Sequence, residues 1–77
     1  MRFKLLDRVV LERDLPEHCL RKGDLGTVVE IYTANGLEVE FMTAAGDTVA
    51  VVTLAVDDVR TAREDDMISV RSLSTGA

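Results

Sequence analysis

Directly after Asn35-Gly36 the chain reads Leu37-Glu38-Val39-Glu40-Phe41, apolar and acidic residues in strict alternation. A period of two is the period of a β-strand, whose successive side chains point to opposite faces. Leu37, Val39 and Phe41 therefore face a core, and Glu38 and Glu40 face water. Asn35 and Gly36 both tolerate the positive φ of a tight turn, so they predict a hairpin that ties this strand to the one before it. That preceding run, Thr27 to Tyr32, is rich in β-branched residues and fits a strand.

The rest of the chain extends the pattern. Arg8 to Glu12 reads as a first strand. Arg13 to Asp24 is a long polar connection that carries Pro16, the only proline, and Pro does not suit a central strand. Ala44-Ala45-Gly46-Asp47 turns the chain into a fourth strand, Thr48 to Leu54. Asp57-Asp58 marks a further turn, with a single 3₁₀ turn around Ala55 to Asp58, and Val59-Arg60-Thr61 makes a short fifth strand. Short strands at this spacing predict a small barrel or sandwich. The core candidates are Val9, Leu11, Leu25, Val28, Ile31, Val39, Phe41, Val52, Leu54 and Val59. Val28 and Ile31 lie on opposite parities of one strand, so either a bulge intervenes or one of them faces outward.

Composition narrows the function. The 77 residues make one domain at most. A chain this short buries only about 60% of the surface its unfolded form exposes, so its stability margin is thin. Fourteen Asp and Glu against nine Lys and Arg give a net charge of -5. That opposes ordinary nucleic-acid binding, which needs clustered cations to neutralise phosphate. One Cys and one His exclude a disulfide framework and a Cys/His zinc site within one chain. No run approaches the ~18 apolar residues of a membrane span. The start, Met1 to Asp7, does not read as a signal peptide. A cytoplasmic protein with a reduced thiol is expected.

Chemistry-bearing residues are sparse. His18 and Cys19 are adjacent, which in an extended chain points them apart, and no third group orients them as a nucleophile and its base. Glu30, Glu38 and Glu40 lie on hairpin-paired strands, with Glu30 across from Glu40 or one pair along. Such a face can hold a cation or act as acid and base. It also suits a solvated face that discourages wrong strand pairing, which is the favoured reading. Gly23-Asp24-Leu25-Gly26 lacks the ending and the helix of a phosphate loop, and no calcium loop is present. Arg8, Arg13, Arg21 and Lys22 gather near the first strand and its loop, but Asp7, Glu12, Asp14, Glu17 and Asp24 largely cancel them. The expectation is no enzyme, no cofactor and no metal.

Five short strands in about sixty residues, with one long loop after the first and hairpins after that, describe an all-β, SH3-like barrel of antiparallel strands. Residues 1–61 form the barrel. Residues 62–77 form a tail expected to be partly disordered, within which Met67 to Arg71 reads as an extra strand or a short helix. Only Phe3, Tyr32 and Phe41 are aromatic, too few for a groove of stacked aromatics that takes proline-rich peptides.

The stretch Lys22-Gly23-Asp24-Leu25-Gly26-Thr27-Val28-Val29-Glu30-Ile31 resembles the KOW-type motif of SH3-like domains. A longer resemblance runs through Phe3–Leu11, Asp14–Glu17, Leu20–Val29, Glu38–Phe41, Thr53-Leu54 and Asp58–Arg60. It is to a family of small bacterial proteins catalogued only as a domain of unknown function. It implies an SH3-like barrel and a bacterial cytoplasmic protein, and it carries over no catalytic residue. Small proteins of this sort often sit beside toxin-like genes, which implies a partner-binding or antitoxin-like role.

The run Val49 to Leu54 is apolar with little alternation, as in a strand covered on both faces. Its cover would come from another chain or from Met67 to Val70, in cis or by exchange between protomers. The candidate interface is therefore Val49, Val51, Val52, Met67, Ile68 and Val70. A protein-interaction module that self-associates and serves another bacterial protein as small subunit, adaptor or antitoxin-like partner is the leading expectation. A KOW-type domain on nucleic acid or the ribosome is the alternative, supported by fold analogy and opposed by the charge.

Overall fold

A computed structural model describes residues 2–33 and 35–73. Five antiparallel strands form one sheet: β1 (Arg8–Leu11), β2 (Leu25–Ile31), β3 (Gly36–Met42), β4 (Thr48–Ala55) and β5 (Val59–Thr61), in the order β4-β3-β2-β1-β5. The only helical elements among the described residues are two 3₁₀ turns, Pro16–His18 and Val56–Asp58. The all-β reading holds, and each strand falls within about two residues of its sequence-based bounds. With no second layer of structure, the apolar face of the sheet must curl around its own core. Every strand feeds that single cluster, through Val9 and Leu11, Val28, Leu37 to Phe41, Val52 and Leu54, and Val59.

Two irregularities set which side chains face inward. Val28 pairs with Val39, but Glu30 pairs with Glu38, so Val29 is the extra residue of a bulge. The bulge resets the parity of β2, which lets Val28 be buried and Ile31 also pack against the core. The second shift lies between Phe41↔Ala50 and Met42↔Thr48, leaving Val49 as the extra residue of β4. Val49 and Ala50 then both pack partly on the core. Thus the blurred alternation of β4 comes from a bulge rather than from cover on both faces.

Two expectations about turns and the tail need correction. Asn35-Gly36 does mark the β2–β3 hairpin, but its closing contact is the Tyr32 N–H donating to the Gly36 carbonyl at 3.0 Å, with Gly36 already in β3. Gly36 opens β3 without a positive φ. Gly26 is buried inside β2, where an added Cβ would lie 2.6 Å from Val39 Cγ1 and 2.8 Å from Phe41 Cε1. Gly23, at φ +97°, is the residue that turns. Met67 to Arg71 forms neither strand nor helix. The expected disorder at Ser74 to Ala77 lies outside the described residues.

The long β1–β2 connection is folded. Leu15 and Leu20 are buried and bridge each other, the Leu15 N–H donating to the Leu20 carbonyl at 2.9 Å and the Leu20 N–H returning to the Leu15 carbonyl at 3.1 Å. Pro16, whose φ is preset, starts the 3₁₀ turn between them. Cys19 closes it at φ +60°, a left-handed conformation rare for a residue with a Cβ. The loop therefore presents two leucines to the core while its charged residues stay outside.

Candidate binding groove

The turn Arg21-Lys22-Gly23-Asp24 stands at one end of a surface groove. The Asp24 carboxylate accepts the Arg21 N–H at 2.8 Å, and Asp24 N–H donates to the Arg21 carbonyl at 3.0 Å. Asp14 accepts the Lys22 N–H at 2.8 Å. The turn is tied to β1 on both sides, through Gly23 N–H to the Leu11 carbonyl and Leu11 N–H to the Asp24 carbonyl. A half-buried carboxylate is thus held rigidly at the entrance to β2.

That carboxylate receives a guanidinium from the tail. Arg71 Nε donates to Asp24 Oδ1 at 3.0 Å and Arg71 Nη2 donates to Asp24 Oδ2, a bidentate pair. Nη2 also donates to the Cys19 carbonyl at 2.9 Å. Burial pushes the Asp24 carboxyl up, but the Arg71 guanidinium, the Arg21 N–H and the two positive charges outweigh it, so it is held below the usual carboxylate range. Behind this clamp residues 68–73 and the barrel surface enclose a groove of about 600 Å³, within the size range of ligand sites. The barrel side is built from the start of β2, the end of β3 and Val49, with Arg8 and Glu40 at its margin.

The tail has a second anchor. Asp66 takes Arg60 bidentately, at 2.8 and 2.9 Å, and also accepts the Arg63 N–H at 2.7 Å. These contacts, led by the Arg60 hydrogen bonds, hold the Asp66 carboxyl far below the usual range. Between Asp66 and Arg71 the segment has no strand or helix of its own.

The expected interface residues are divided: Val49, Ile68 and Val70 line the groove together, while Val51, Val52 and Met67 lie outside its lining. Val52 points into the core and is 8% exposed, so it cannot meet a partner directly; the parity of β4 turns Val52 and Leu54 inward and Val51 outward. Val49 is half-buried and lines the groove. Val51 is 47% exposed and lies opposite Glu40. Met67, Ile68 and Val70 are 91%, 76% and 93% exposed, so the tail does not bury them over β4.

The carboxylate face is ordered by hydroxyls. Glu30 lies directly opposite Glu38, the "one pair along" arrangement. Glu38 Oε1 accepts Tyr32 Oη at 3.1 Å and Thr53 Oγ1 at 2.6 Å, while Glu40 Oε2 accepts Thr48 Oγ1 at 2.6 Å. The hydrogen bond to Glu38 raises the Tyr32 phenol. Among the described residues no three or more His, Cys, Asp or Glu side chains converge as metal ligands would. His18 ends the 3₁₀ turn and the Cys19 thiol is exposed. Asp58, expected only as a turn residue, accepts the Ala55 N–H at 3.0 Å and Arg13 Nε at 2.9 Å.

The Asp24–Arg71 pair was not legible beforehand. Asp24 reads as a turn residue and Arg71 as one tail charge, and nothing local links positions 47 residues apart.

The architecture is a small, single-sheet, all-β domain with an appended segment held by arginine–carboxylate pairs. The chain belongs to the family described as a domain of unknown function (DUF4926), whose model matches residues 5–61. Neither the curated proteins nor the solved structures give a match. No helix among the described residues is long and apolar enough to cross a membrane.

Proposed function

We propose that this chain is a non-enzymatic protein-interaction module, a small subunit, adaptor or antitoxin-like partner of another bacterial cytoplasmic protein, and that it self-associates. The observation that carries this is the edge of the sheet at β4. That strand, Thr-Val-Ala-Val-Val-Thr-Leu-Ala, runs eight residues with no charge, Pro or Gly, and among the described residues it pairs only with β3. An unpaired edge offers free N–H and C=O groups to another strand, and proteins that avoid such pairing blunt the edge with charge, Pro or brevity. The opposite edge is blunted in that way: β5 has three residues and carries Arg60. Two β4 edges in antiparallel register set no like charges against each other. The strand order and the long connection after β1 support an SH3-like barrel as the scaffold.

A KOW-type role on nucleic acid is less well supported. The net charge is -5. Arg13, Arg60 and Arg71 are also engaged by Asp58, Asp66 and Asp24 at 3.0 Å or less. Guanidinium groups so paired are poor phosphate ligands.

Size-exclusion chromatography with light scattering tests the proposal. A mass of about twice the 8.5 kDa chain is expected, reduced to the monomer in Val51→Glu, which adds a carboxylate to the β4 edge of each copy. A wild-type monomer that persists at millimolar concentration overturns self-association.

A further inference from the structure

We infer that the groove beside Asp24 is a docking site for an extended partner segment that carries an arginine flanked by apolar residues, and that the chain's own Arg71 fills the guanidinium cradle at its mouth in cis. The inference rests on the reading of the protein as an interaction module, and it specifies what one of its sites takes.

The occupant is on view. Residues 68–73 line the groove together with the barrel, yet they form no strand or helix. Ile68 and Val70 stay mostly in solvent. Arg71 holds this stretch through the Asp24 carboxylate and the Cys19 carbonyl. The segment lies beyond both β5 and the residues matched by the family model, so the barrel and its core cluster are complete without it. The apolar side chains of this strap bury little, so a segment that supplies the same guanidinium and buries more apolar surface can displace it.

The cradle is specific for arginine. A fixed carboxylate and a carbonyl on one side of it match the fork of a guanidinium; an ammonium reaches only one oxygen at a time. Asp24 is turned toward the site by its own backbone contacts with Arg21, so it is preorganised before any guanidinium arrives. Arg8 and Glu40 offset each other on the groove margin, so the Asp24 carboxylate and the net charge of -5 favour a cationic segment over an acidic one. While Arg71 sits in the cradle, the apparent affinity for a partner falls in proportion to the fraction of molecules that are open.

The full-length protein tests this. The probe is a capped hexapeptide with the sequence of residues 68–73, titrated into ¹⁵N-labelled protein. Arg71→Ala lies outside the sheet and the core cluster, so the variant keeps its fold, which an unchanged spectrum of the barrel amides verifies. It should bind the probe at least tenfold more tightly than the wild type, with shifts concentrated at Leu25, Gly26 and Thr27. Adding Asp24→Asn, which can still accept the Arg21 N–H, should reverse that gain. A lysine-for-arginine probe should bind at least severalfold more weakly. Equal binding by wild type and Arg71→Ala, indifference to Asp24→Asn, or no binding at millimolar probe overturns the inference. A dimer that ignores the probe leaves the module reading standing, whereas a monomer that binds it removes only self-association.

Discussion

Gly26 lies under Val39 and Phe41 so closely that it has no room for a methyl group: a Cβ would sit 2.6 Å from the valine and 2.8 Å from the phenylalanine ring. Both neighbours are buried and cannot swing away. Val39 and Phe41 are also the residues whose alternation announces β3, so this glycine is what lets β3 fold tightly over β2. Gly26→Ala should destabilise by about 1–3 kcal/mol through overpacking alone. Urea unfolding followed by circular dichroism reads the loss. Gly23→Ala is strained for a different reason, its φ of +97°, and has open space around it. The two variants should therefore differ on a second change: Val39→Ala should partly rescue Gly26→Ala and leave Gly23→Ala unaided.

Leu15 and Leu20 should behave as core residues although they sit in a connection. Leu15 is 1% exposed, and truncating a buried Leu costs about 2–5 kcal/mol. A domain of this length holds only roughly 4–11 kcal/mol in total. Leu15→Ala should accordingly lower the melting temperature by ten degrees or more, on the order of what such a loss gives in a small domain. A thermal melt matching wild type would mean that the loop is an appendage and not part of the fold.

What was readable in the residues follows from how local the signal was. The period of two in Leu37 to Phe41 reports its neighbours directly, so β3 and its inward face were plain. The chemistry of Asp57-Asp58 also acts within one turn, which is why the 3₁₀ turn and β5 fell where expected. The burial of Leu15 and Leu20 depends on their meeting across a Pro-started turn, and the polar residues between them masked it. Val52 was read both as core and as interface, since the run of four apolar residues Val49 to Val52 carries no parity until one pairing is known; its pairing with Val39 turns it inward. The groove depended on a contact between a turn and the tail, which no spacing rule reaches.

Acid should loosen the molecule through its paired carboxylates. Asp24, Asp58 and Asp66 are each held below the usual carboxylate range in the folded protein: Asp24 by Arg71 and Arg21 against the burial that pushes it up, Asp58 chiefly by Arg13, and Asp66 chiefly by Arg60. A carboxyl whose folded value is depressed contributes stability that is complete above its unfolded value, near about 4, and is lost as pH falls through the folded value. Stability should thus be flat from neutral pH down to about 5 and should fall steeply below about 4. Chemical denaturation across that range checks the sign. Asp24→Asn should lower stability at neutral pH and flatten the acid limb, because one of the three groups no longer titrates.

Glu30 and Glu38 face each other across the β2–β3 ladder, and like charges in that position destabilise a sheet. Glu38 is committed, since Tyr32 and Thr53 both donate hydroxyls to it. Glu30 is the exposed member and is free to change sign without leaving a buried group unsatisfied. Glu30→Lys replaces repulsion with a cross-strand opposite-charge pair and should stabilise by about 0.3–1 kcal/mol. The gain should shrink in high salt, as exposed charge pairs are screened. Removing the Glu30 charge should also let the Tyr32 phenol titrate at lower pH, because Glu30 adds to the field of Glu38 that raises it. A spectrophotometric titration of Tyr32, the only tyrosine, reads that shift independently of stability. A stability gain with no movement of the phenol would place the benefit in strand propensity instead of charge.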